Sequence, residues 1–244
     1  MLISLVADCH VADRPEDANG VDTQANFGKV IARLRERSPD HLVLLGDYSV
    51  REPRRRDVEW VASRAVLAEA PISVLSGNHD DAAQVATAFR HEDQLVGGRL
   101  YYRQDLGVNR ALFLDTSPGY IEREQLDWLR LEIRAARGRV LVFMHHPPIH
   151  MGVLFMDDRH ALRDDDGAVR DALFSGPVPV HVFSGHYHTA RSTQVGLHSV
   201  HLCPSTYFQL DPTREDFAVA HSMPGIRHVE LLSDEVRTWV EFIR

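Results

Sequence analysis

His186 and His188 stand one residue apart, directly after the apolar run Val180-His181-Val182-Phe183. Gly185 before them lets the backbone turn sharply or pass close to another group. In an extended chain, side chains at i and i+2 project to the same side, which would bring both imidazoles to one place. Imidazole nitrogen is a common ligand for zinc, copper, iron and nickel. One such pair is weak evidence, because solvated loop histidines give the same pattern. Four other polar clusters give it company: Asp8-Cys9-His10, Gly46-Asp47, Gly77-Asn78-His79-Asp80 and His145-His146-Pro147-Pro148. Each follows a short apolar run, as the histidine pair does.

The donors these clusters offer are Asp8, His10, Asp47, Asn78, His145, His186 and His188. That set has three oxygens, four nitrogens and no sulfur, which suits iron, manganese, zinc or cobalt better than calcium or magnesium. It is too large for one tetrahedral zinc. It suits two transition-metal ions about 3.5–4 Å apart with a shared carboxylate, the arrangement used in two-metal phosphoryl chemistry. Only Asp8 and Asp47 are anionic, so two divalent ions would leave the site net positive. Such a site can take a phosphate anion and a hydroxide together.

The elements that must position these donors follow from the pattern of apolar residues. Runs at 2–7, 42–45, 72–75, 140–144 and 180–183 are expected strands, each ending in a polar cluster. Between them, the spacing of Phe27, Val30, Ile31 and Leu34 predicts a helix capped by Thr23. Further helices are expected from about Asp57, after Asp80, over 121–137 and over 168–175. Strands at 99–103 and 110–115 would meet at a turn over 105–107, and 195–202, 226–232 and 235–242 read as strands. Alternating strands and helices define an α/β fold, in which ligands sit outside the carboxyl ends of the strands. No repeat, low-complexity tract or linker divides the chain, so one domain is expected over 1–244.

Composition narrows the class. Of 244 residues, 44% are hydrophobic and 25% charged, the balance of an ordinary globular protein. A net charge of −8 argues against a polyanion-binding face, so nucleic acid is not an expected partner. Two cysteines, Cys9 and Cys203, cannot make a disulfide framework or a Cys-rich zinc site. The first eight residues lack the basic segment of a signal peptide, and no apolar run approaches the roughly 18 residues of a membrane span. A cytoplasmic protein without a membrane partner is the expectation. The oligomeric state stays open, a homo-oligomer included.

In identity, order and spacing, the five clusters resemble the blocks of calcineurin-like metallophosphoesterases, from residue 1 to about 210. His145-His146-Pro147-Pro148, Met156-Asp157 and Pro204-Ser205-Thr206 are similar to the class III cyclic-nucleotide phosphodiesterase and glycerophosphodiesterase branch. The resemblance implies a four-layer α/β/β/α sandwich with a dimetal site at the C-terminal ends of its strands. It implies that Asp8, His10 and His188 hold one metal, that Asn78, His145 and His186 hold the other, and that Asp47 bridges them. His79 would be no ligand but the catalytic acid facing the leaving oxygen. The chain departs from its relatives at Tyr48-Ser49-Val50-Arg51, where a further acid or amide is frequent, which bears on substrate preference.

The expected reaction is hydrolysis of a small-molecule phosphodiester, of cyclic-nucleotide or glycerophosphodiester type, by a metal-activated hydroxide attacking phosphorus. A phosphomonoesterase or nucleotide phosphohydrolase with the same metals is the alternative, and a non-catalytic scaffold is disfavoured by the complete donor set. Asn78, His79, His146 and Tyr187 are the candidates for touching substrate, although His146 fits better as a support behind the metals and Tyr187 has core packing as an equal reading. His150, His160 and Tyr207 stand near enough in sequence to be considered. His41, His91, His198, His201, His221 and His228 read as surface or sheet-edge residues. The Arg51–Arg56 run reads as a solvated loop able to steer anions, and Asp164-Asp165-Asp166-Gly167 as a solvated loop without the glutamate a calcium loop needs.

Overall fold

The apolar runs become strands of two sheets in the computed structural model, which describes residues 1–164 and 166–244. Asp165, in the acidic run, lies outside the described residues. The first half of the chain contains β1 (Leu2–Val6), α1 (Thr23–Arg37), β2 (His41–Leu44), α2 (Arg55–Ala65), β3 (Ile72–Val74), α3 (Ala82–Phe89), β4 (Leu95–Val96), β5 (Arg99–Leu100), β6 (Tyr102–Leu106) and β7 (Asn109–Leu114). The second half contains α4 (Arg123–Ala135), β8 (Val140–Met144), α5 (Leu154–Arg159), α6 (Ala168–Phe174), β9 (Val180–Ser184), β10 (Ser192–Val195), β11 (His198–Leu202), β12 (Gln209–Leu210), β13 (Val219–His221), β14 (Gly225–Leu231) and β15 (Val236–Phe242).

One sheet has the order β15-β14-β1-β2-β3, and the other β10-β11-β9-β8-β7-β6. β1, β2 and β3 run parallel, as do β7, β8, β9 and β11. Period-two alternation sorts the second sheet's side chains. Ala111, Phe113, Leu141, Phe143 and Phe183 face the first sheet, in one core with Ile3, Leu5 and Val43. Leu112, Leu114, Val140, Val142 and Val182 face outward, under Leu129 and Ile133 of α4 and Leu173 of α6. α1, α2 and α3 bury Phe27, Val61 and Val85 in the first core. Helices therefore cover both outer faces, giving a four-layer α/β/β/α sandwich. Between the sheets, Tyr102, Phe113, Phe143, Phe183 and His201 form a stacked ladder with centroids 4.5–5.6 Å apart. Such cross-strand pairs fix strand register.

Several local expectations need correction. Asp22, not Thr23, caps α1, accepting from Ala25 N–H at 2.9 Å, while the Thr23 hydroxyl accepts from Ala12 N–H. The hairpin formed by β6 and β7 turns between Leu106 and Asn109, slightly further along than the turn expected over 105–107. The six-residue α5 lies within 149–167, where no helix was expected. The Asp157 carboxylate accepts from Met151 N–H and Val153 N–H just before that helix. His41, His198, His201 and His228 are buried rather than superficial. Each finds a partner within the sheets, such as Ser73 Oγ for His41 at 2.8 Å and Ser4 Oγ for His228 at 2.9 Å, which removes much of the burial cost. Among the described residues, no helix is long and apolar enough to cross a membrane.

Candidate metal centre

The parallel strands bring the polar clusters to one edge of the sandwich. Asp8, Asp47 and Asn78 follow the adjacent strands β1, β2 and β3, and His145 and His186 follow the adjacent strands β8 and β9. After β11, the loop at Ser205 closes across the sheets, donating its hydroxyl to Asp8 O at 2.9 Å. Asp8, His10, Asp47, His145, His186 and His188 are buried, while Asn78 is exposed and His79 half-buried.

The backbone at the centre is unusual. Asp8, His10, Asp47, His186 and His188 all have φ between 41° and 64°. Among the described residues, the other non-glycine residues with positive φ are Asn19, Ser38, Glu69 and Arg90, and all four terminate helices. Left-handed backbone at a side-chain-bearing residue outside a cap costs on the order of 1 kcal/mol or more and gathers at functional sites. The histidine pair thus converges by a turned backbone, not by the extended one its spacing suggested.

His10 Nε2 lies 3.1 Å from His188 Nε2, and His188 Nε2 lies 3.5 Å from Asp8 Oδ1. The Asp47 Oδ2 atom is 3.5 Å from His10 Nε2 and 3.3 Å from His145 Nε2. His145 Nε2 is 3.1 Å from Asn78 Oδ1. Donor atoms of Asp8, His10 and His188 lie within 4.8 Å of one another, as do those of Asp47, His145 and His186 and those of His10, Asp47 and His79.

Backbone carbonyls set the ring tautomers. His10, His145 and His188 face Ser49 O, Leu45 O and Phe208 O through Nδ1, at 3.0, 2.7 and 3.2 Å. A carbonyl only accepts, so Nδ1 carries the proton and Nε2 is left as the ligand atom. His186 is reversed: its Nε2–H donates to His160 O at 3.0 Å, leaving Nδ1 free. Two Nε2 lone pairs facing each other at 3.1 Å repel unless a proton or cation lies between them, so this donor set fits metal ions. Burial depresses His10 to about 4, and burial with His146 and His145 nearby keeps His186 well below the usual range, so both are neutral imidazoles. Burial disfavours charge on Asp47 and His145 too, but their mutual attraction outweighs it. Asp47 is held well below the carboxylate range and His145 is lifted to about 9. A proton on His145 occupies the place a cation would take.

Two glycines are required by the close passage of these groups. A Cβ on Gly77 would collide with the Asp47 carboxylate and lie 2.7 Å from His145 Cε1, and one on Gly185 would lie 2.8 Å from Asp8 Oδ2. Asp80 closes the cluster from behind, a role the sequence reading left unassigned. Its carboxylate accepts from Asp47 N–H, Gly77 N–H and Tyr48 N–H at 2.7, 2.8 and 2.9 Å, tying the loop after β2 to the loop after β3.

The remaining candidates separate. His79 lines the cavity above the centre; its backbone N–H donates to Asp47 Oδ1 at 2.9 Å and its Nδ1–H to Arg51 O at 2.6 Å. His146 does not reach substrate space. It is buried, pairs with Thr116 Oγ1 at 2.9 Å, and its ring lies 4.1 Å from that of His186, which it backs. Tyr187 is fully buried in the outer core, because turning its two neighbours inward sends its own side chain the other way. His160 and Tyr207 line the cavity, whereas His150 lies outside it. Of the basic loop, Arg54, Arg55 and Arg56 pair with Asp57, Glu59 and Asp13, while Arg51 lines the cavity and has no ion-pair partner among the described residues. The cavity is about 370 Å³ and is also lined by Phe155, Phe208, Leu210 and Phe217.

A sandwich of this layering, with an oxygen- and nitrogen-rich donor cluster at its strand ends, can hold metal ions for phosphoester hydrolysis. The family model for calcineurin-like phosphoesterase matches residues 1–190, and the chain belongs to that family. It is 30% identical over 241 residues to a probable cyclic nucleotide phosphodiesterase of Fibrobacter succinogenes, covering 98% of this chain and 93% of that one. It is 29% identical to a glycerophosphodiester phosphodiesterase of Enterobacter lignolyticus, covering 88% and 81%. The backbone matches a dimetal phosphatase from Danio rerio with a TM-score of 0.67 at 16% identity, over 94% of each chain.

Proposed function

We propose that the protein hydrolyses small-molecule phosphodiesters of cyclic-nucleotide or glycerophosphodiester type with two metal ions. Asp8, His10 and His188 would hold one ion, Asn78, His145 and His186 the other, with Asp47 shared. The observation that carries this reading is the Asp47 carboxylate, which has one histidine Nε2 at 3.5 Å and another at 3.3 Å. When bound, such ions supply a water acidified toward neutral pH and a Lewis-acid hold on phosphoryl oxygens. The donor mix favours iron, manganese or zinc.

The other tasks fall to the chain. His79 is anchored through Nδ1–H to Arg51 O, which leaves Nε2 as the atom placed to give a proton to the departing ester oxygen. Arg51 brings to the same cavity a guanidinium without an ion-pair partner among the described residues, suited to an anionic substrate. Asn78, exposed beside His79, completes the wall nearest the reacting phosphorus. β14 and β15 share one sheet with β1, β2 and β3, whose ends carry Asp8, Asp47 and Asn78; we therefore take residues 1–244 as one working domain. Two buried free thiols, Cys9 and Cys203, suit the cytoplasm.

Metal analysis of purified protein, paired with bis-p-nitrophenyl phosphate and p-nitrophenyl phosphate, tests this reading. About two equivalents per chain and faster turnover of the diester are expected. A single equivalent at full activity would overturn the two-ion arrangement, and a preference for the monoester would overturn the diesterase assignment.

A further inference from the structure

One wall of the cavity is an arc of rings that begins on one metal-ligand candidate and ends on another. Phe208 lies 4.7 Å from His188, Phe217 5.6 Å from Phe208, Phe155 5.9 Å from Phe217, His160 5.1 Å from Phe155, and His186 6.5 Å from His160, centroid to centroid. These rings come from three separate segments: α5 with the residue after it, the loop before β12, and the connection between β12 and β13. Phe217 stands at 75° to Phe155 and 90° to Phe208, so edges rather than stacked faces meet, and it is 53% exposed. A phenyl group that open, at the mouth of a cavity, offers apolar surface that a bound ring would cover favourably. Arg159 holds the arc together: its guanidinium lies 5.4 Å over the Phe155 ring and pairs with Asp216, next to Phe217, at 3.2 Å.

Given the phosphodiesterase reading above, we infer that Phe217, with Phe155 and Phe208, is the specificity element of this site and receives a flat, uncharged ring on one ester group, as in a nucleoside phosphate. An aromatic cage can instead hold a quaternary ammonium. Here a cation already sits over Phe155, and a second would be repelled by it. A glycerol group would lose hydrogen bonds to water against Phe155, Phe208, Phe217 and Leu210 without regaining them. A planar ring matches the arc, because every nucleobase offers a π-face and stacking on an aromatic side chain is sequence-tolerant.

The test compares wild type and Phe217→Ala after manganese loading. Because Phe217 is largely exposed, the substitution leaves the core intact. Adenosine 5′-monophosphate and inorganic phosphate are titrated calorimetrically, and KM is measured for adenosine 3′,5′-cyclic phosphate and for glycerophosphocholine. We expect the variant to bind the nucleotide about tenfold more weakly, with phosphate affinity unchanged, and its KM to rise about tenfold for the cyclic nucleotide alone. An equal loss for nucleotide and phosphate, or no loss for either, would overturn the ring assignment. A loss confined to glycerophosphocholine would assign the arc to a quaternary ammonium and equally overturn it. If wild type binds the nucleotide through Phe217 but cleaves neither diester, the ring site stands and the diesterase reading falls.

Discussion

His186 and His188 are two residues apart, yet their ring nitrogens face different neighbours. His188 Nε2 lies beside His10 and Asp8, whereas His186 gives its Nε2–H to His160 O and groups with His145 and Asp47. His186→Ala and His188→Ala should therefore each lose one metal equivalent, or weaken its binding, and not the same one. Titration with manganese followed by electron paramagnetic resonance would show two different residual sites; identical spectra would defeat the split. The role proposed for His79 is at the leaving group rather than at the metals. His79→Ala should slow cleavage of an alkyl ester by on the order of 100-fold or more, the range general-acid groups contribute, and that of a p-nitrophenyl ester far less. Equal losses on both, with metal content unchanged, would remove His79 from the acid's role.

At the scale of elements, the centre depends on β2 and β3 ending in register, and Asp80 enforces it. Asp80 accepts three hydrogen bonds from the backbone around Asp47. Burial and the neighbouring Asp47 push its carboxyl up to about 7, so above that pH, as a carboxylate, each bond contributes about 1.5–3 kcal/mol. Asp80→Asn must turn a donor toward one of those N–H groups, so a loss of about 2–4 kcal/mol in urea unfolding is expected. Metal affinity should fall by about 10- to 100-fold, as it does when groups behind ligands are removed. Unchanged affinity would show that the two loops hold their positions without it. The ligand clusters were legible in the sequence because each follows an apolar run, and strand ends are where α/β sheets place chemistry. The supports were not. His160 serves through a carbonyl, which any residue provides, and the left-handed backbone at Asp8 and Asp47 has no sequence signal as glycine would. Phe155, Phe208 and Phe217 meet only because α5 and the β12–β13 connection fold over the same strand ends. Tyr187 keeps two readings in the sequence through the same limit: spacing shows that two neighbours converge, not how the backbone turns between them, and it is the core reading that the fold realises.

The whole molecule carries buried and half-buried histidines away from the metal-ligand candidates, and these contribute to its response to acid. Burial holds His41 at about 4; burial, with Arg139 nearby, holds His181 at about 4; and burial, with Arg227 nearby, holds His201 at about 3. Ser73, Ser199 and Ser192 hydroxyls satisfy their rings in the neutral form. In the unfolded chain each returns to the ordinary value of 6.5. As pH falls below 6.5 the unfolded state therefore takes up protons that the folded state refuses. Stability is fully present above 6.5, declines through the window down to about 4, and for His201 on to about 3, and levels off below. The slope is at most about 1.4 kcal/mol per pH unit for each histidine. His41 lies in the first sheet, in contact with none of the metal-ligand candidates, so it isolates one share of the effect. His41→Gln can keep a hydrogen bond to Ser73 and cannot titrate. Urea unfolding between pH 7.5 and pH 4 should give a shallower fall in stability for the variant than for wild type, by up to one histidine's share. Parallel curves would mean that His41 is protonated at the same pH in both states, and that the acid response arises elsewhere.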